Sequence, residues 1–146
     1  MAIDYGWDGW IEVGSSAKQT SEVTQITEWT LDMTGDALEK TNFGSTYDRE
    51  FTPGLRSWTA ALSGFSEDAD NVQDYMLDNF TATGGPYPTT AVHVVLVSGY
   101  SAGTTNRCGF KGNGILTGVT RGATPDGLQT FSANIQGTGL LTTYAT

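Results

Sequence analysis

The segment Glu22–Met33, EVTQITEWTLDM, decides the fold class of this chain. On an extended backbone Val23, Trp29, Leu31 and Met33 fall on one side, and Glu22, Thr24, Glu28, Thr30 and Asp32 on the other. Ile26 is out of step, on the polar side. Strand side chains alternate between two faces. A period of two held over these twelve residues therefore predicts a half-buried β-strand with one apolar and one acidic, wet face.

The same reading extends outward. Trp10–Val13 is a short strand ended by Gly14-Ser15-Ser16. Between Arg56 and Phe65, Trp58, Ala60 and Leu62 face in, and Ser57, Thr59, Ala61 and Ser63 face out. Ala91–Val97 is Val-rich and apolar apart from His93, the pattern of a strand buried on both faces. Two more strands are predicted near Arg107–Thr120 and Leu128–Leu141, separated by the turn Gly122–Gly127. In the last, Thr130, Ser132, Asn134 and Gln136 share one face, and Phe131, Ala133 and Ile135 the other.

One helix interrupts this series, around 68–80. Val72, Met76 and Phe80 recur four apart with Tyr75 beside them, and Ser66 or Asp68 supplies the cap. Asp70, Asp74 and Asp78 read as a solvated acidic face. The expected fold is mainly β, a sandwich or barrel-like arrangement of antiparallel sheets with one flanking helix, in a single domain spanning 1–146. Residues 34–55 show no clean period. They contain Gly35, Gly44, Pro53 and Gly54 with Phe43, Tyr47, Phe51 and Leu55, and read as a long irregular loop. Irregular connections of that length usually serve a function.

Composition narrows the function class. Charged residues are 16% of 146, well below the usual share, and Gly numbers 19. The formal net charge is −9, with fifteen of the sixteen acids before residue 79. Nucleic-acid binding rests on Lys and Arg displacing counterions from phosphates, so this balance argues against DNA binding. Cys108 is the one cysteine, which excludes an intrachain disulfide and a Cys-based zinc site and suits synthesis in a reducing compartment. The opening MAIDYGWDGW lacks the basic and apolar regions of a signal peptide, and no run reaches membrane-spanning length.

Catalytic constellations do not emerge. His93, the one histidine, sits inside Val92-His-Val-Val-Leu96 and reads as a histidine satisfied within the fold. Asp68, Asp70, Asp74 and Asp78 fail the calcium-loop spacing, because Val72 stands where an oxygen ligand belongs and Gln73 where the glycine belongs. The glycine runs Gly109–Gly114 and Gly137–Gly139 match no phosphate loop and fall in strands. No enzyme, metal or cofactor is expected. The aromatic content leaves a carbohydrate-binding module open, although the alternation makes Trp29 and Trp58 core residues.

Several stretches, in order, resemble the phage major tail protein (tail-tube) family. They are Gly6-Trp-Asp-Gly-Trp-Ile-Glu-Val-Gly14, Ile26-Thr-Glu-Trp-Thr-Leu-Asp32, Asn42-Phe-Gly-Ser45, Glu50–Trp58, Leu62-Ser-Gly-Phe65 and Phe131–Leu140. Between Tyr87 and Thr124 only a general strand–turn–strand plan is shared. The resemblance implies a β-sandwich with a helix at its side, rings of six copies, and stacked rings forming a tube for DNA delivery. It implies a homo-oligomer in the virion tail, made in the host cytoplasm, with tape-measure, terminator and baseplate or tip proteins as further partners. The family's long loop reaches into the neighbouring ring; here it matches Thr41–Leu55.

In such an assembly Phe43, Tyr47, Phe51 and Leu55 are the expected inter-ring anchors, since exposed aromatics gain by burial. The wall of a DNA conduit should be neutral or acidic with short side chains. The lumen candidates are Glu22, Glu28 and Asp32; Ser57, Thr59 and Ser63; and Thr130, Ser132, Asn134 and Gln136. DNA would pass without specific binding. Related tube, terminator, decoration or type VI-like secretion subunits are the alternatives within the same architecture.

Overall fold

In the computed structural model, residues 9–14, 20–44, 47–67, 70–81, 91–100 and 107–145 are described. The chain runs β1 (Trp10–Gly14), β2 (Thr20–Glu22), β3 (Ile26–Glu39), β4 (Phe51–Phe65), α1 (Asn71–Thr81), β5 (Ala91–Tyr100), β6 (Arg107–Gly122) and β7 (Thr130–Ala145). All seven strands belong to one antiparallel sheet in the order β2-β1-β5-β6-β7-β4-β3. This is the mainly β, barrel-like plan with one flanking helix expected from the sequence.

The sheet curls around its own apolar face. Ile11 and Val13 from β1, Trp58, Ala60 and Leu62 from β4, Val92, Val94 and Leu96 from β5, and Phe131, Ala133 and Ile135 from β7 meet in one buried cluster. Met76 of α1 joins them at 0% exposure. Burying the larger of these side chains contributes about 1.5–3 kcal/mol each, so the alternating strands are driven into one curled layer rather than left as a flat sheet. β5 is an interior strand, buried on both faces from Val92 to Val97, as its apolar run around the single polar residue His93 predicts.

Two elements differ from the sequence reading. The predicted strand Glu22–Met33 is two strands at a corner: β2 pairs with β1 and β3 pairs with β4. Between them Gln25 adopts φ 58, left-handed geometry that turns the chain out of an extended path. Other parts of the chain clamp that corner. The Thr24 N–H donates to Asp70 Oδ2 (2.8 Å), the Gln73 side-chain amide donates to the Thr24 carbonyl (3.1 Å), and the Phe65 N–H donates to the Gln25 carbonyl (2.9 Å). Ile26, the residue out of step, is the first residue of β3.

The stretch 34–55 is not irregular throughout. β3 and β4 continue as a hairpin ladder from Gly35↔Arg56 to Glu39↔Phe51, with a register shift between Gly35 and Ala37, and only 40–50 lie outside strands. The hairpin projects past the sheet, so both its faces are exposed and no burial period marks it. Pro53 fits because β4 has no β7 partner there.

The helix begins at Asn71, and its cap is Asp70: the Val72 N–H donates to Asp70 Oδ1 at 2.9 Å. Ser66 does not cap it, since its hydroxyl is buried without a partner among the described residues; Asp68 lies outside those residues. Asp70 is itself buried, so the solvated acidic face reduces to Asp78 with half-buried Asp74.

Candidate functional site

The candidate lumen strands come together on one face of the sheet. The outward sides of β3, β4, β7 and β6 align in cross-strand rows. One row runs Glu28, Ser63, Ser132, Thr120; the next Thr30, Ala61, Asn134, Gly118; the third Asp32, Thr59, Gln136, Ile115. Ser57 continues the face beside Thr34, their hydroxyls 2.8 Å apart, and Thr130 closes its other end opposite Phe65 and Gly122. These rows hold two carboxylates, Glu28 and Asp32, and no Lys or Arg. Elsewhere they carry hydroxyls, amides and small residues, with Ile115 the one large apolar side chain.

The local reason is the alternation itself. Trp58, Ala60, Leu62, Phe131, Ala133 and Ile135 point into the core, so their neighbours must point out. Short polar side chains then tie themselves to the sheet. Thr117 Oγ1 donates to the Asn134 carbonyl (3.2 Å), and the Gln136 amide donates to the Trp58 carbonyl (3.2 Å). The outcome is a smooth, weakly acidic surface with few groups free to reach out.

Glu22 does not belong to this face. It lies on β2, at the far end of the strand order, opposite Glu12 of β1. The sequence treated Glu22, Glu28 and Asp32 as one strand side, and the corner at Gln25 separates them.

The assembly candidates sit on the projecting hairpin. Phe43 and Tyr47 at its tip are completely exposed, at 111% and 104%, and Leu55 nearly so at 83%. Phe51, opposite Glu39, is half covered. The tip has an ordered base: the Lys40 N–H donates to the Glu50 carbonyl (2.9 Å), the Glu50 N–H to Thr41 Oγ1 (2.9 Å), and the Gly44 N–H to Asn42 Oδ1 (2.7 Å). Arg49 pairs with Glu39 at 4.0 Å.

What the sequence did not reveal is a fork between β4 and β7. The two strands ladder from Phe65↔Thr130 to Thr59↔Gln136 and then part. No local pattern announces this, because the parting depends on a bulge in β7 and on the Trp58 ring packed at the point of separation.

His93 is the satisfied histidine expected: its Nδ1 lies 2.7 Å from Asn113 Oδ1 across the β5–β6 pair. Among the described residues no three potential metal ligands converge, and no helix is long and apolar enough to cross a membrane. Trp58 is buried and Trp29 half-buried, so neither forms an exposed sugar platform; Trp7 lies outside the described residues.

No protein-family model and no curated protein matches the sequence. Solved structures do match. A chain of the SPP1 tail tube superposes with TM-score 0.75 at 11% identity, covering 99% of this chain and 80% of that one. A chain from the tail of an empty gene transfer agent particle, refined with C6 symmetry, gives 0.69 at 15% identity, covering 96% and 98%. A chain of the anti-feeding prophage tube terminating cap gives 0.65 at 16%, covering 100% and 95%. Across essentially its whole length, this chain therefore has the fold of subunits found in phage and phage-like tails.

Proposed function

We propose that this chain is a structural tail-tube subunit that assembles with copies of itself into stacked rings of six, with the β3–β4–β7–β6 polar face lining a channel for DNA. The observation that carries the reading is the continuous polar face, where three separately patterned strands contribute short uncharged side chains around two carboxylates. A wall of that kind exchanges no counterions with phosphates, so a duplex can slide along it without being held. The projecting hairpin with its exposed aromatics supports assembly through a separate surface, and the likeness to the C6 tail and the SPP1 tube supports the ring geometry. In this role the protein resides in the virion tail after synthesis in the host cytoplasm. It contacts tape-measure, terminator and baseplate proteins, and carries no catalytic function.

The likeness to the tube terminating cap favours one second reading, a subunit that closes a tube rather than extends it. Negative-stain electron microscopy of the purified chain across a concentration series separates the two. Long hollow tubes with a bore wide enough for duplex DNA are expected. Single rings that never lengthen would favour the cap. A stable monomer at every concentration, with and without a tail-tip initiator, would sink both.

A further inference from the structure

Where β4 and β7 part, two strand edges face each other with no strand between them among the described residues. β4 runs on from Trp58 to Phe51 paired with β3 alone, and β7 runs on from Gly137 to Ala145 paired with β6 alone. On the β7 arm Lys111 lies opposite Thr142 and Asn113 opposite Thr138, so Gly139–Leu141 bow outward, with Gly139 at φ 78. The groove between the arms has a volume of about 570 Å³. Consecutive residues line each wall, Leu55 and Arg56 on β4, Leu140 and Leu141 on β7. Neighbours in a strand point to opposite faces, so this opening lies between the strands and not on one side of the sheet.

Unpaired backbone on both walls suits an added strand. Because β4 and β7 are antiparallel, a chain inserted between them runs antiparallel to one arm and parallel to the other, and its N–H and C=O groups reach both. Free strand edges recruit extended chains in this way. The Trp58 carbonyl is already taken by Gln136, and Pro53 has no N–H to offer. The usable edge of β4 is therefore Gly54–Ser57, the stretch that lines the groove. Apolar side chains stand around it, with Met33, Leu55 and Leu140 exposed at 61%, 83% and 71%.

Electrostatics narrow the occupant. The chain carries a net charge of −9, yet the one charged residue lining the groove is Arg56, which makes no ion pair among the described residues. Close by, Asp36 stands against Gly54 without pairing with Arg56, and Lys111 lies opposite Thr142 on the β6 side. Two cations against one carboxylate leave a locally positive spot on an acidic protein. The described loops of this chain do not match it. Residues 40–50 balance Lys40 and Arg49 against Asp48 and Glu50, and 123–129 are broken by Pro125 and Gly127.

We infer that the groove between β4 and β7 is a docking site for an extended segment of a different protein, one that alternates apolar residues and sets a carboxylate against Arg56. The segment completes the sheet locally: its backbone pairs with both arms, and its apolar side chains cover Met33, Leu55 and Leu140. The inference does not depend on tube assembly, and its failure would leave the subunit reading standing.

Fluorescence anisotropy with the full chain and a labelled peptide, Val-Thr-Val-Asp-Val-Thr-Val, tests it. Saturable one-to-one binding is expected, at least about tenfold tighter than that of the same peptide with Lys in place of Asp. Arg56→Glu should reverse the preference. Methylating alternate backbone nitrogens of the peptide should abolish binding, and so should Leu55→Asp with Leu140→Asp in the protein. The charge reversal keeps the test decisive if that double variant fails to fold by circular dichroism. No saturable binding, equal binding of the Asp and Lys peptides, or undiminished binding of the methylated peptide would each overturn the inference. Binding of decanoate without binding of the peptide would make the groove a site for small amphiphiles and overturn it as well. Wild-type assemblies that exclude a peptide bound by the free subunit would show that a second copy fills the groove, with the same consequence.

Discussion

The indole of Trp58 lies directly on the backbone of Gly137. A β-carbon at 137 would fall inside the ring's own atoms, and one at Gly112 would come within 2.8 Å of Trp58 Cζ2. Two glycines on neighbouring strands thus form the seat for the one large ring at the mouth of the fork. Gly137→Ala should destabilise the fold by about 3 kcal/mol or more, because neither the strand nor the ring has room to shift. Trp58→Ala alone should cost about 3–5 kcal/mol, and the double variant little beyond that. Urea unfolding of the three variants checks the coupling; simple additivity would mean the two residues do not share the seat.

Asp70 joins the helix to the corner that splits β2 from β3. One carboxylate oxygen caps α1 through the Val72 N–H, and the other takes the Thr24 N–H and, at 3.1 Å, the Thr24 hydroxyl. Asp70→Ala should cost about 2 kcal/mol, the sum of a lost cap and an orphaned backbone donor. Thermal unfolding followed at 222 nm measures it, and a loss under about 0.5 kcal/mol, the level of an ordinary surface change, would show that the corner is held by other bonds.

Phe43 and Phe51 are proposed to serve assembly rather than the fold. Both are exposed in the single subunit, at 111% and 53%, so Phe43→Ser with Phe51→Ser should change stability by no more than about 0.5 kcal/mol. The same variant should lose tube formation in electron micrographs. Tubes like those of the wild type would remove the hairpin from the assembly contact.

For the polar face, the expectation concerns access. Thr59→Cys places a thiol in the third row of that face. It should react with a polymer-linked maleimide in the free subunit and become protected in assembled tubes. Equal reactivity in both states would put the face outside. Glu28→Lys with Asp32→Lys changes two carboxylates into two ammonium groups, from −2 to +2 on these positions. Tubes of that variant should retain DNA, and retention should weaken as salt rises.

Much of this molecule could be read along the chain because burial leaves a periodic trace. Trp58, Ala60 and Leu62 announce one strand and Phe131, Ala133 and Ile135 another, since every second residue meets the same core. The Val-rich run Val92–Val97 announces an interior strand for the same reason, and Val72 with Met76 the helix. Where burial stops, the trace stops with it. Beyond Met33 and before Ser57 both sides of the hairpin face solvent, so residues 34–55 read as an irregular loop although half of them, 34–39 and 51–55, lie in the β3–β4 strands. The corner at Gln25 was hidden for a different reason: its left-handed turn is held by Asp70, Gln73 and Phe65, all forty or more residues away in sequence.

The candidate site divides along the same line. From the sequence alone came the polar sides of three strands, the acidic balance that disfavours a grip on DNA, and the aromatics of the 34–55 segment. Those are local properties, set by which residues a strand presents to each of its faces. Only the tertiary structure decided that Glu28, Ser63, Ser132 and Thr120 stand in one row, that Glu22 stands apart, and that β4 and β7 part to leave a groove. Register, corners and strand partings depend on contacts between segments far apart in the chain, such as Trp58 seated on Gly137, and no single segment carries that information.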